Sequence, residues 1–111
     1  MNHLAQFLLL QFQRPSDELW PVAVLVFDPS NDRLYVRGRE DYAGIADDDD
    51  AQVLSETVKQ LQADVAAQSG NAILDLLEST LSNSIRLTER IPFRTPDIAN
   101  SLHYFSTAFL C

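Results

Sequence analysis

Six consecutive apolar residues, 22–27 (VAVLVF), constrain the fold of this chain more than any other feature. The run is apolar throughout and rich in β-branched side chains, so it predicts a strand that is buried on both faces and central in its sheet. Turn-forming residues follow at 28–32, and residues 33–39 (RLYVRGR) then alternate between polar and apolar side chains. This pattern predicts an antiparallel hairpin with a loop of about five residues.

Strand-like and helical patterns both occur along the rest of the chain. Residues 3–13 predict a strand that ends at the turn-forming sequence RPSD. Leu54, Val58, Leu61 and Val65 recur at helical spacing, which predicts a helix over residues 49–68 with Gly70 as its C-terminal cap. The later elements are a helix over 71–81, a strand over 85–91 that ends at Pro92, and a segment over 96–109 for which a helix is favoured and a strand stays open.

The order of these elements, β-β-β-α-α-β-α, is typical of an α+β domain. We expect residues 1–111 to form a single α+β domain, with an antiparallel sheet of about four strands and two or three helices packed on one face. A chain of 111 residues has room for one hydrophobic core. Its 46% hydrophobic and 22% charged residues resemble those of an ordinary globular domain, which argues against intrinsic disorder.

Cysteine usage and hydropathy predict a cytoplasmic protein. The one cysteine is Cys111, which excludes a disulfide-stapled domain and a zinc site built from cysteines. The N-terminus has no basic region of the kind that opens a signal peptide. The longest uninterrupted apolar run has six residues, whereas a membrane-spanning helix needs about twenty.

The net charge of −8 is concentrated in one segment. Residues 40–78 hold ten of the sixteen acidic side chains and one base, Lys59, so this segment alone carries −9. We therefore identify a candidate partner-binding surface, which consists of Asp47, Asp48, Asp49, Asp50 and Glu56. The alternative is that these acids begin a helix and keep the protein soluble. No metal site is predicted, because four adjacent side chains diverge and cannot converge on one cation.

Arginine side chains are the candidates for binding an anion. The candidates are Arg33, Arg37 and Arg39 on the strand over 33–39, and Arg86 and Arg90 on the strand over 85–91. If both strands lie in one sheet with helices on its apolar face, these residues form one open, positive surface. Arginine binds carboxylate or phosphate groups through paired hydrogen bonds. The alternative is local pairing with nearby acids, which stabilises a protein little when the pair is exposed.

The sequence carries no recognisable catalytic pattern. His3 and His103 lack the spacing of metal ligands, and no glycine pattern marks a serine as a nucleophile. The three glycines are isolated, so they cannot form a phosphate-binding loop. We expect a protein that is not an enzyme and binds no cofactor. Nucleic acid is not an expected partner either, since the net negative charge of the protein opposes phosphate groups. An enzyme with an unrecognised site stays a third alternative.

Two stretches of the chain resemble a known group of proteins in layout. The first is the strand over 8–13, the loop RPSDE and the buried strand over 21–28; the second is the strand IRLTE and the sequence TPD that leads the last segment. Both resemble a family of uncharacterised small bacterial proteins that are often encoded beside kinases of the HipA type. Where those proteins often carry a glycine in the buried strand, this chain has Ala23. The resemblance implies an accessory or antitoxin-like partner protein and assigns no catalytic residues.

The leading hypothesis is a non-enzymatic protein-binding domain, such as an acidic inhibitor or antitoxin-like partner of a protein with a basic cleft. The alternative is a small anion- or ligand-binding domain that uses the arginine-lined face of the sheet. A homodimer is a further expectation. The N-terminal run and the stretch from Phe105 to Phe109 are more apolar than a monomer of 111 residues readily hides.

Overall fold

The computed structural model describes residues 3–80 and 84–110 and confirms the α+β class. The elements are β1 (His3–Gln13), β2 (Leu19–Asp28), β3 (Arg33–Gly38), α1 (Asp48–Ala67), α2 (Gly70–Thr80), β4 (Ile85–Leu87), β5 (Ile91–Thr95) and α3 (Ile98–Leu110). The segment over 96–109, for which the sequence leaves helix and strand open, is the helix α3. Leu81, the last residue of the helix predicted over 71–81, lies outside the described residues. Within those residues, no helix combines the length and the apolar character needed to cross a membrane.

The sheet is antiparallel and is built around β1 and β2. β2 pairs with β3 on one side and with β1 on the other, and the outer edge of β1 pairs with β4 and β5. Both central strands are buried on both faces, as the run over 22–27 predicts for β2. The consecutive residues Leu8, Leu9 and Leu10 therefore point alternately into two cores.

Helices cover both faces of this sheet. α1 and α2 pack on the face that carries Leu8 and Leu25, so two of the expected two or three helices share one face. α3 packs on the opposite face, where Phe105 stacks on Phe7 with ring centroids 4.2 Å apart. The third helix is needed there because two strands that are apolar on both faces leave a second apolar surface to bury.

The strand predicted over 85–91 is divided by a β-bulge into β4 and β5. Leu87 pairs with Leu10 and Ile91 pairs with Phe7, so three residues of this edge oppose two of β1. Nor does Pro92 end the strand, since β5 runs through it to Thr95. Proline is tolerated here because β5 is an edge strand and its outer side needs no ladder hydrogen bond.

Thr88 continues the pairing through the bulge. The Leu9 amide donates to the Thr88 hydroxyl at 2.8 Å, and the Thr88 amide donates to the Leu9 carbonyl at 3.0 Å. The extra residue reverses which face the following side chains occupy. Leu87 therefore packs in the core under α1 and α2, whereas Phe93 packs in the core under α3.

Gly70 joins α2 to the turn between β2 and β3. Its amide donates to the Asp32 carbonyl at 2.9 Å, and the Asn71 amide donates to the Asp32 carboxylate at 2.8 Å. A Cβ atom on Gly70 would lie 2.8 Å from the Leu34 nitrogen and 2.8 Å from the Phe27 ring. The predicted role of Gly70 as a left-handed C-terminal cap of α1 is therefore wrong. This glycine begins α2 and permits close approach to β3.

Gly70→Ala should destabilise the fold by about 1–3 kcal/mol, because the added methyl group forces backbone atoms of β3 to move. Urea unfolding followed by circular dichroism gives the free energy of unfolding. Gly44→Ala is the matched control, since a Cβ atom there meets no atom within 4 Å and the change should stay within about 0.5 kcal/mol. Equal stabilities of the two variants would contradict the close approach.

Candidate functional site

The acidic residues at 47–50 form the N-terminal end of α1. Asp47 is the N-cap, and its carboxylate accepts a hydrogen bond from the Asp50 amide at 2.8 Å. Asp48, Asp49 and Asp50 occupy the first turn, where the positive end of the helix stabilises them. These are the local roles that the alternative interpretation predicts. All four residues are nevertheless exposed, so their charge is presented at the surface.

A groove of about 410 Å³ runs between α1 and α2, and we call it the α1–α2 groove. Its apolar residues are Leu61, Ile73, Leu76 and Leu77, and its polar residues are Glu56, Thr57, Gln60 and Asp64. The candidate residue Glu56 lies in this groove. Sequence reasoning missed Asp64, although the spacing of Glu56, Gln60 and Asp64 at i, i+4 and i+8 along α1 was an available signal.

The two carboxylates of the groove contact amide side chains. Gln52 donates to Glu56 at 3.3 Å, and Gln60 donates to Asp64 at 3.0 Å. Across residues 3–80 and 84–110, neither carboxylate has a basic side chain within 4.0 Å. Asp49 lies seven residues before Glu56 and therefore shares its face of α1. The groove and the start of the helix thus form one acidic surface with an apolar floor.

The five candidate arginines do not form one surface. Arg33 begins β3, and Arg86 lies on β4, three strands away in the sheet. Arg90 lies against α2, with its guanidinium 2.9 Å from the Glu78 carboxylate and 3.8 Å from the Asp75 carboxylate. The expected open arginine face is therefore wrong, because the bulge redirects Arg90 and α3 covers the sheet face that was expected to be open.

Two of these arginines do lie together, in a cleft of about 400 Å³ between the end of β3 and α3. We call it the arginine cleft; its lining residues are Arg37, Gly38, Arg39, Glu40, Asp41, His103, Ser106, Thr107 and Leu110. The Arg39 Nε donates to the Pro21 carbonyl at 2.6 Å, and its Nη1 donates to the Leu110 carbonyl at 3.3 Å. The Arg37 Nη1 lies 3.3 Å from the His103 Nδ1.

Sequence reasoning found Arg37 and Arg39 but missed the residues that α3 adds to the cleft. Arg37 and His103 are 66 positions apart, and no spacing rule connects residues so distant. The only local signal is on the helix itself, where His103 and Thr107 are four residues apart and share one face. That signal has meaning only once α3 is placed against the end of β3.

Tyr42 anchors the loop that forms one wall of the arginine cleft. Its side chain is buried in the core under α1 and α2, although its hydroxyl lies close to Gly38. Burial raises the pKa of Tyr42, because the charged phenolate is desolvated there. A backbone hydrogen bond with Arg39 and the positive charge of that residue partly offset this increase in pKa.

The raised pKa of Tyr42 predicts a loss of stability in alkaline solution. Above about pH 10 the unfolded chain releases the phenolic proton while the folded chain keeps it, so stability present below pH 10 is lost as the pH rises toward the folded pKa. The free energy of unfolding should fall by up to about 1.4 kcal/mol per pH unit more steeply in the wild type than in Tyr42→Phe. Urea unfolding between pH 8 and pH 11.5 measures these slopes.

Tyr104→Phe is the control for this measurement, because it removes the same hydroxyl group from a tyrosine that is 68% exposed. Its slope should equal that of the wild type. A Tyr42→Phe slope equal to the wild-type slope would show that Tyr42 ionises without penalty and would contradict its burial.

No family model matches the chain, and no curated protein and no solved structure is significantly similar to it.

Proposed function

We propose that the protein is a non-enzymatic, cytoplasmic protein-binding domain that holds a basic, apolar segment of a partner protein in the α1–α2 groove. The observation that carries the proposal is an apolar floor beside two carboxylates that, in the described part of the chain, contact no cation. An amphipathic helix with Leu or Ile on one face and Lys or Arg beside them matches such a groove.

The floor of the groove is preformed. Leu61 and Ile73 are 4% and 2% exposed, so they belong to the core while their edges line the groove. The apolar surface that a partner can cover lies mainly on Leu76, which is 52% exposed, and on the partner's own apolar side chains. Its removal from water stabilises the complex by about 25 cal/mol per Å². Little reorganisation precedes binding, because core packing already fixes the side chains of Leu61 and Ile73.

Charge favours a basic partner and disfavours other occupants. The segment over 40–78 carries −9, which attracts a cationic partner and speeds encounter. A second copy of this chain brings a net charge of −8, and nucleic acid brings phosphates, so the groove attracts neither of them. Within α2, Asp75 and Glu78 already interact with Arg90, which leaves Glu56 and Asp64 for a partner.

An acidic inhibitor or antitoxin-like accessory protein, which covers a basic cleft on its target, is the most concrete form of this function. The resemblance to proteins encoded beside HipA-type kinases implies the same role and remains a prediction. The homodimer also remains a prediction. The N-terminal run gives less support to a dimer than the sequence suggests, since residues 3–13 form the central strand β1, which is covered on both faces.

Two synthetic peptides of identical composition test the groove. In one, Leu and Lys are arranged so that a helix has one apolar face, and in the other the same residues are scrambled. The amphipathic peptide should cause saturable NMR shifts of the amides around Leu61 and Ile73, whereas the scrambled peptide should not. The double variant Glu56→Gln with Asp64→Asn should bind about tenfold more weakly at low salt, because two charge pairs are lost.

The matched control is the double variant Glu18→Gln with Glu89→Gln, which removes the same charge from exposed positions outside the groove. Its affinity for the amphipathic peptide should stay close to that of the wild type. Equal weakening in the two double variants would show that overall charge determines the affinity, and not the position of Glu56 and Asp64 in the groove. Equal binding of the two peptides would show that the apolar floor does not contribute to binding, and would contradict the proposal.

The aspartates at the start of α1 should affect the association rate more than the dissociation rate. Replacing Asp48, Asp49 and Asp50 by Asn, with the N-cap Asp47 kept, should slow association of the labelled amphipathic peptide by about three- to tenfold at low salt. Stopped-flow fluorescence at two salt concentrations measures both rates, and circular dichroism checks that α1 is intact. A change confined to the dissociation rate would contradict long-range attraction by these residues.

A further inference from the structure

We propose that the arginine cleft binds a small monocarboxylate, held by Arg37 and Arg39 from the β3 side and by His103 and Thr107 from α3. The cleft lies beside α3, on the sheet face opposite the α1–α2 groove. The proposal therefore assigns a second site and does not depend on the proposed protein partner.

Within the described part of the chain, the two arginines of the cleft contact groups other than carboxylates. Arg37 contacts an imidazole nitrogen, and Arg39 donates to two backbone carbonyl oxygens. Among residues 3–80 and 84–110, no carboxylate lies within 4.0 Å of either guanidinium. Each arginine therefore keeps N–H groups that can donate to an anion, and a charged acceptor forms the stronger hydrogen bonds.

The donors are held in place before a ligand arrives. Arg39 is fixed between the Pro21 carbonyl on β2 and the Leu110 carbonyl at the end of α3. The Arg37 Nη1 lies 3.3 Å from the His103 Nδ1, and because a guanidinium only donates, the tautomer that accepts at Nδ1 carries its proton on Nε2, where it is a further donor. The Thr107 hydroxyl lies on the same face of α3, one turn after His103. A preorganised set of donors lowers the cost of binding.

The acids in the same cleft favour a carboxylate over a phosphate. Glu40 and Asp41 line the cleft with the arginines, so their charge opposes a dianion more than a monoanion. Leu110 adds an apolar contact for a short aliphatic tail. A volume of about 400 Å³ lies in the range of small-molecule sites. A short-chain carboxylate such as butyrate combines these features.

An NMR titration of the ¹⁵N-labelled protein tests the cleft with sodium butyrate and, separately, with inorganic phosphate, at ionic strength held constant with sodium chloride. Butyrate should cause saturable shifts of the Gly38 and Thr107 amides and of the Arg37 and Arg39 Nε–H signals. Arg37→Gln should weaken butyrate binding by at least about tenfold, the value expected for a lost hydrogen bond to a charged group. Phosphate should bind several-fold more weakly than butyrate.

The matched control is Arg33→Gln. Arg33 lies on the same strand as Arg37 and on the same side of that strand, but outside the cleft. The affinity of this variant for butyrate should be unchanged. Thr107→Val tests the α3 side of the cleft, because valine has nearly the shape of threonine but lacks the hydroxyl. Thr107 is exposed, and the variant should bind butyrate about three- to tenfold more weakly. Urea unfolding checks that each variant is folded.

Three results would overturn the proposal: no saturable shift with butyrate, equal losses in Arg33→Gln and Arg37→Gln, or tighter binding of phosphate than of butyrate. The amphipathic peptide should not displace butyrate, because it occupies the opposite side of the sheet. Failure of the peptide experiment would therefore leave the outcome for the cleft unaffected.

Discussion

The pairing of β1 with β2 is the interaction on which the rest of the structure depends. Leu8 pairs with Leu25 on the side of α1 and α2, and Leu9 pairs with Val24 on the side of α3. Each pair would lie in water without a helix above it, so burial of this one strand pair requires helical layers on both sides. The two layers then differ in chemistry. α1 and α2 lie in the acidic segment, whereas α3 ends beside two arginines.

Two one-residue irregularities decide which side chains reach which layer. In β2, the register shift beside Leu10 places both Val22 and Ala23 in the core under α1 and α2. At the other edge of β1, the bulge between β4 and β5 sends Phe93 to the α3 side. The same bulge brings Arg90 to α2, where Glu78 balances its charge. The alternation of residues 85–91 in the sequence cannot show this, because one extra residue reverses the pattern.

Features that depend on local periodicity could be predicted, and features that depend on which surfaces meet could not. The first three strands, α1, α2 and the α+β class follow from hydrophobic spacing over a few residues. The position of α3 depends on which sheet face remains uncovered, and that is a property of the assembled sheet. Gly70 shows the limit for single residues, since one glycine suits both a left-handed cap and a close backbone approach.

The candidate sites show the same division. Glu56, Arg37 and Arg39 could be identified because a charge cluster and a strand alternation are both visible in the sequence. His103 becomes part of a site only through a contact across 66 positions. The apolar floor of the groove belongs to two helices, and only their packing brings Leu61 and Ile73 side by side.

β3 connects the two sites, because α1 packs on one of its faces and α3 on the other. Gly38 lies between Arg37 and Arg39, and a Cβ atom there would lie 2.5 Å from the Val58 side chain of α1. Val58 is adjacent to Thr57, which lines the α1–α2 groove. α1 therefore supplies both a wall of the groove and the support behind the cleft. A larger side chain at position 38 would separate α1 from β3 and disturb both sites, whereas substitutions among the exposed residues of either site act on that site alone.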